Sequence, residues 1–71
     1  MRYRGTVRFF NDNKGYGFIR REGSGADLYV HYRDIEGGGF RTLNVGETVE
    51  FELMETERGP RAVCVSRIEA F

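Results

Sequence analysis

The sequence predicts a small all-β domain, and three observations carry that prediction. Apolar and polar residues alternate over several short segments, as they do in half-buried strands. No stretch of ten or more residues repeats its apolar positions with the helical period, so a long helix is not expected. Ten glycines against one proline are typical of a chain with many tight turns. A length of 71 residues fits a single domain that spans residues 1–71.

The alternation predicts five strands, which span residues 3–10, 16–21, 27–31, 48–55 and 61–68. Three glycine-containing turns, at 11–15, 22–26 and 56–60, separate neighbouring strands. Residues 32–47 form a longer irregular connection with three consecutive glycines. Five short strands of this kind make either a small antiparallel sandwich or a barrel. Closure into a barrel removes exposed strand edges, which favours a barrel in a chain this small.

Composition excludes several classes of site. The single cysteine, Cys64, cannot form an intramolecular disulfide, and one cysteine with one histidine cannot supply a four-ligand zinc site. The longest apolar run, residues 62–65, is too short for a membrane span or the apolar segment of a signal peptide. We therefore expect a soluble, cytoplasmic domain that binds no cofactor, no metal and no membrane.

The charges are balanced overall but unevenly distributed. Formal net charge is zero, while residues 1–35 carry a net +3 and residues 36–71 a net −3. Ten of the eleven basic residues are arginines, which suit bidentate phosphate contacts and stacking on bases better than lysines do. Ordinary mixing of surface charge explains the same distribution, so the charges alone leave both interpretations open.

The second and third strands divide their side chains between two faces, because successive residues of a strand point to opposite sides. Ile19, Leu28 and Val30 are the natural core residues. The opposite face then presents four flat rings, those of Tyr16, Phe18, Tyr29 and His31. The reverse assignment would bury a histidine and two tyrosine hydroxyls that need partners, and would expose three aliphatic side chains. We therefore predict the four rings on the outer surface.

An exposed cluster of rings on a sheet indicates a binding surface. Bases of single-stranded nucleic acid stack on aromatic rings whatever their sequence, and basic side chains at the edges could follow the phosphates. The alternative interpretation is a cross-strand cluster that only stiffens the sheet. Basic residues of the flanking strands and turns that suit this edge are Arg8, Lys14, Arg20, Arg58 and Arg61.

In the first predicted strand, alternation does not assign every side chain to one of the two faces. Val7 belongs to the core, yet the adjacent rings of Phe9 and Phe10 cannot both point inward from a flat strand. A β-bulge or strong coiling at this point would resolve the conflict. The pattern leaves open which of the two rings is exposed.

Single residues give no sign of an enzyme. His31 lacks a nucleophile with which it could form a catalytic arrangement, since Cys64 lies in a predicted core strand. Asp27 either caps a turn or accepts a hydrogen bond from a base. Gly15 and Gly17 allow a base or a backbone to approach a crowded surface closely.

Six segments together resemble the bacterial cold-shock domain, and they span most of the chain. They are 5–11 (GTVRFFN), 14–19 (KGYGFI), 27–32 (DLYVHY), 39–43 (GFRTL), 46–51 (GETVEF) and 58–62 (RGPRA). The resemblance implies a five-stranded antiparallel OB-type barrel that binds single-stranded DNA and RNA. It further implies a non-enzymatic nucleic-acid chaperone, in some members also a regulator of transcription or translation. A monomer is expected, with a domain-swapped dimer as the alternative.

Site residues follow from the resemblance by position. The implied stacking residues are Phe9, Phe10, Tyr16, Phe18, Tyr29, His31, Tyr32 and Phe40, and the implied rim residues are Arg8, Lys14, Asp27, Arg58 and Arg61. The loop at 37–39 would carry Phe40 over the rings.

The chain departs from the usual family pattern at several of these positions. Phe9 stands where the family usually has Trp, tyrosines replace phenylalanines at positions 16, 29 and 32, and Arg33 replaces a small polar residue. A rival interpretation from another class is a protein-interaction module, in which the same rings seat a peptide or a second copy of the chain.

Overall fold

The computed structural model describes residues 2–36 and 43–68. Within these residues five strands form one closed barrel in the order β1-β2-β3-β5-β4. The strands are β1 (Tyr3–Asn11), β2 (Tyr16–Arg21), β3 (Asp27–His31), β4 (Thr48–Thr56) and β5 (Gly59–Arg67), with one 3-10 turn at Tyr32–Asp34 between β3 and β4. The predicted all-β class and OB-type barrel are confirmed.

The barrel is not antiparallel throughout, which corrects one part of the prediction. Strands β3 and β5 run parallel and meet at Tyr29 and Arg61, whereas the other four pairs are antiparallel. The reason is topological: strand direction cannot alternate around a closed ring with an odd number of members. One parallel pair is therefore unavoidable in a barrel of five strands.

Ten of the described residues form the buried apolar core of the barrel, namely Val7, Ile19, Leu28, Val30, Ile35, Leu43, Val49, Phe51, Ala62 and Val65. The predicted core residues of β2 and β3 are among them, so the assignment of the two faces is confirmed. In β5 the pattern predicts Val63 and Val65 on one face, but the structure buries Ala62 and Val65 instead.

A bulge in β5 causes that difference. Glu50 pairs with Ser66 and Glu52 with Val63, so Cys64 and Val65 together face the single residue Phe51. Cys64 adopts a positive φ of 53°, the left-handed conformation that characterises the first residue of a G1-type bulge, a position usually occupied by glycine. The extra residue shifts the alternation by one, and this brings Ala62 inward.

The strained backbone at Cys64 predicts an unusual order of stability. A left-handed conformation costs a residue with a Cβ about 1–2 kcal/mol, whereas Gly in an ordinary strand costs about 0.5–1 kcal/mol relative to Ala. Cys64→Gly should therefore be more stable than Cys64→Ala, by about 0.5–1 kcal/mol. Urea unfolding of the two variants measures the difference, and an alanine variant that equals or exceeds the glycine variant would contradict the prediction.

Candidate nucleic-acid interface

A second bulge, in β1, decides which phenylalanine faces outward. The pairing of β1 with β2 shifts between Val7 and Phe9, which leaves Arg8 as the extra residue. This confirms the predicted irregularity. Phe9 then lies on the outer surface with 42% of its area exposed, while Phe10 packs against the core.

Gly17 permits this arrangement because it leaves room for the backbone of β1. A Cβ at position 17 would lie 2.2 Å from the carbonyl oxygen of Phe9 and 2.7 Å from Cδ1 of Phe10. The sequence suggested that glycine at this position lets either a base or a backbone segment approach closely. In the structure it is the backbone of β1 that lies close to Gly17.

Four rings form a contiguous cluster on the outer face of β1, β2 and β3. They belong to Phe9, Tyr16, Phe18 and Tyr29, and we call them the aromatic platform. Phe9 pairs directly with Phe18, and Phe18 with Tyr29, so the rings lie side by side across three strands. Five pairs of these rings are neighbours with centroids 5.9–6.4 Å apart, and the planes of Tyr16 and Tyr29 are nearly parallel, with 18° between them.

His31, the last residue of β3, and Tyr32, the first residue after it, continue the platform at this end of the strand. Their ring centroids lie 4.6 Å apart, and His31 pairs with Tyr16 across the sheet. Nδ1 of His31 accepts a hydrogen bond from the backbone N–H of Arg33 at 3.3 Å. The neutral imidazole therefore carries its proton on Nε2, where it can donate. The backbone N–H of Tyr32 donates to the carbonyl oxygen of Gly15 at 2.8 Å, which ties this end to the first turn.

The row of paired residues extends beyond the rings. Tyr29 pairs with Arg61 on β5, and Arg61 pairs with Met54 on β4, so one line of partners crosses all five strands. Met54 is exposed. Our sequence interpretation did not single out Met54, although Val49, Phe51 and Leu53 share one face by alternation and leave Met54 on the other.

The charged rim residues fall into two groups. Arg61 and Asp27 are engaged within the protein: both Nε and Nη2 of Arg61 approach Oδ2 of Asp34, at 2.9 and 2.7 Å, and Asp27 lies 3.3 Å from Nε of Arg20. The side chains of Arg8, Lys14 and Arg58 form no ion pair within residues 2–36 and 43–68. These three are exposed and available for phosphates.

Two concavities flank the pair of Tyr29 and Arg61. The larger, of about 690 Å³, lies toward the β4–β5 turn, where Arg58 and Pro60 complete its wall. The smaller, of about 320 Å³, lies toward the 3-10 turn and is completed by His31 and Arg33. Both open on the side of the sheet that carries the platform residue Tyr29.

The structure thus gathers most of the predicted residues, although their binding roles stay predictions. Phe10 is placed against the core rather than with the platform, and Phe40 lies outside the described residues. No helix in the described part of the chain is long and apolar enough to cross a membrane. The same residues contain no cluster of three or more His, Cys, Asp or Glu side chains suited to a metal ion.

Comparison with known proteins agrees with this geometry. The model of the family described as the 'Cold-shock' DNA-binding domain matches residues 3–68. The chain is 53% identical to a cold shock-like protein of Aquifex aeolicus over 62 residues, 87% of this chain and 89% of the relative. It is 49% identical to cold shock protein CspB of Bacillus caldolyticus over 65 residues, 92% of this chain and 97% of the relative.

A solved structure shares the fold. The chain aligns with a structure described as Drosophila Unr CSD456 with a TM-score of 0.80 at 23% identity, over 97% of this chain and 27% of that one. The family match covers every strand of the barrel and all four rings of the platform. The chain therefore belongs to the cold-shock domain family, a family of nucleic-acid-binding proteins.

Proposed function

We propose that this protein binds single-stranded RNA and DNA and acts as a nucleic-acid chaperone. The observation that carries the proposal is the aromatic platform, in which Phe9, Phe18 and Tyr29 are direct partners on three adjacent strands. Phe18 and Tyr29 each keep 37% of their area exposed, although burial of rings is strongly favourable. A contiguous exposed patch of this kind is typical of a binding surface.

The chemistry of the platform favours single strands. Stacking of a base on an aromatic side chain contributes about 1–3 kcal/mol and tolerates any base. In a duplex the base faces are covered by the neighbouring base pairs, so they are not accessible for stacking on the rings. Arg8, Lys14 and Arg58 lie near the rings or in the turns beside them, where they can approach the phosphates of a strand laid over the platform.

A surface that stacks bases competes with base pairing, and this competition is the basis of the chaperone proposal. Because the rings contact base faces and not base edges, we expect only weak sequence preference. The resemblance to the cold-shock domain suggests that this preference is a bias toward pyrimidine-rich strands. Binding must also be readily reversible, since a chaperone releases the strand that it has kept open. Changes in transcription or translation would follow where the strand held open is a regulatory segment.

Fluorescence anisotropy with labelled oligonucleotides tests the proposal. We expect tight binding to a short pyrimidine-rich single strand, weaker binding to a purine-rich one and little binding to a duplex. The salt dependence should be modest, because stacking supplies much of the free energy. Equal affinity for duplex and single strand would contradict the proposal.

Phe18→Ala should weaken binding to the single strand by about 5- to 150-fold, the equivalent of one lost stacking contact of about 1–3 kcal/mol. The barrel should remain folded, because the Phe18 ring lies outside the core. Val45→Ala is the matched control, since Val45 is an exposed apolar residue that takes no part in the platform. If the two variants bound equally well, the platform would not be the binding surface.

The rival candidate, a protein-interaction module, rests on the same exposed rings. It predicts self-association or peptide capture through the platform. Size-exclusion chromatography at several concentrations separates the two: we expect the elution volume of a monomer throughout. An elution volume that shifts with concentration in wild type but not in Phe18→Ala would favour self-association through the rings.

A further inference from the structure

The smaller concavity at the parallel β3–β5 edge has a distinctive lining. Tyr29, His31, Arg33 and Arg61 surround a volume of about 320 Å³. Every one of these side chains can donate a hydrogen bond: a phenol, an imidazole Nε2–H and two guanidinium groups. Nε2 is the imidazole nitrogen left to donate, because Nδ1 already accepts from the backbone N–H of Arg33. A lining of donors without a carboxylate suits a ligand that only accepts, such as a phosphate group.

The two arginines of this lining differ in their charge environment. Arg61 is held by Asp34, whose side chain is only 13% exposed, so the charge of the guanidinium is largely offset. Arg33 has no carboxylate partner within residues 2–36 and 43–68. Its guanidinium instead lies over the ring of Tyr32, 5.9 Å from the centroid. The net positive charge of the concavity therefore comes from Arg33.

Arg33 is a permanent cation, because a guanidinium group is protonated at neutral pH whatever its surroundings. A hydrogen bond with the Tyr32 side chain raises the pKa of Arg33 above its ordinary value. The contact with Tyr32 and the hydrogen bond between the Arg33 backbone and His31 both orient this residue toward the end of the platform.

We propose that the concavity formed by Tyr29, His31, Arg33 and Arg61 binds one phosphodiester group of the strand that lies on the platform, with Arg33 supplying the charge. The inference rests on the proposed function and adds a defined backbone subsite to it. A strand stacked on Tyr29 would pass directly over this concavity, because Tyr29 forms part of its wall. Arg61, already neutralised, would donate hydrogen bonds there without adding net charge.

Salt titrations of binding test the assignment. For single strands the slope of log Kobs against log salt changes by about 0.7 for each phosphate contact. Arg33→Gln should therefore make the slope shallower by about 0.7, whereas Arg33→Lys should retain most of it. The control is Arg67→Gln, which also removes one positive charge, in this case one paired with Glu47, about 20 Å further along β5 and six residues beyond Arg61. We expect its slope to stay that of wild type.

A second measurement locates the phosphate. Replacing single linkages of a hexanucleotide by neutral methylphosphonates, one at a time, should identify one linkage whose neutralisation weakens wild type several-fold but leaves Arg33→Gln almost unchanged. Such non-additivity shows that the linkage and Arg33 interact. Additive losses at every linkage would overturn the subsite.

The outcomes separate the two proposals. Wild type that fails to bind any single strand would overturn both. Normal binding by wild type, with Arg33→Gln and Arg67→Gln giving equal slopes, would overturn the phosphate subsite alone and leave the platform in place. Urea unfolding of each variant confirms that the comparison is made between folded proteins.

Discussion

Gly17→Ala is expected to lower the free energy of unfolding by about 3 kcal/mol, at the upper end of the usual cost of overpacking. The added Cβ would meet the carbonyl oxygen of Phe9 at 2.2 Å and the Cα of Phe10 at 2.9 Å. Both contacts are with backbone, which cannot rotate away as a side chain can. The clash would have to push β1 away from β2 beside the bulge that positions Phe9.

Urea unfolding measures this effect, with Gly25→Ala as the matched control. Gly25 has a positive φ of 71°, but a Cβ at this position would have no neighbour within 4 Å, so its substitution tests backbone conformation without a steric clash. We expect Gly25→Ala to cost about 1–2 kcal/mol. A loss at position 17 no larger than that at position 25 would show that β1 and β2 separate easily, contrary to the prediction.

Gly17→Ala should also alter the geometry of the aromatic platform. Separation of β1 from β2 would increase the distance between the rings of Phe9 and Phe18, whose centroids lie 6.4 Å apart. Gly17→Ala should therefore also weaken single-strand binding under conditions in which the protein is still folded. Anisotropy titration below the unfolding temperature measures this second loss.

Phe51→Ala is the other substitution with a large expected effect. Phe51 is the largest fully buried side chain among the residues that the structure describes, and it has no exposed area. Truncation of a buried Phe to Ala costs about 3–5 kcal/mol. A domain of this size has a total stability of about 4–10 kcal/mol, so we expect the variant to be largely unfolded on mild heating.

Phe51→Leu provides the variant that remains folded. Leucine fills much of the space of the ring, so this substitution should cost clearly less than alanine while leaving the outer surface unchanged. Thermal unfolding followed by circular dichroism ranks the two variants, and anisotropy shows whether Phe51→Leu binds a single strand as wild type does. An alanine variant as stable as the leucine variant would mean that β4 does not anchor the core.

Local patterns were sufficient for most of the fold. The predicted second and third strands coincide with β2 and β3, and the other three agree within two residues at each end. The outward face of Tyr16, Phe18, Tyr29 and His31 also followed from alternation alone, because burial of Ile19, Leu28 and Val30 leaves the rings only one side. Alternation also predicted a β-bulge or strong coiling at Phe9 and Phe10, because two adjacent rings cannot both point inward from a flat strand.

Other features were decided only when distant segments came together. The outward position of Phe9, the half-buried position of Phe10 and the inward position of Ala62 each depend on a shift in strand pairing. A bulge in one strand is defined only by its partner, so alternation within that strand cannot locate it.

The sequence by itself therefore determined the class of fold, the strands and the face that carries the rings, because these depend on the period of side chains along one strand. The tertiary structure alone decided the parallel β3–β5 pair, the ion pair between Arg61 and Asp34, and the concavity that leaves Arg33 as its charged residue. Closure of an odd number of strands requires a parallel pair. The ion pair requires residues 27 positions apart in the chain to meet at that edge, and the concavity forms at the same edge.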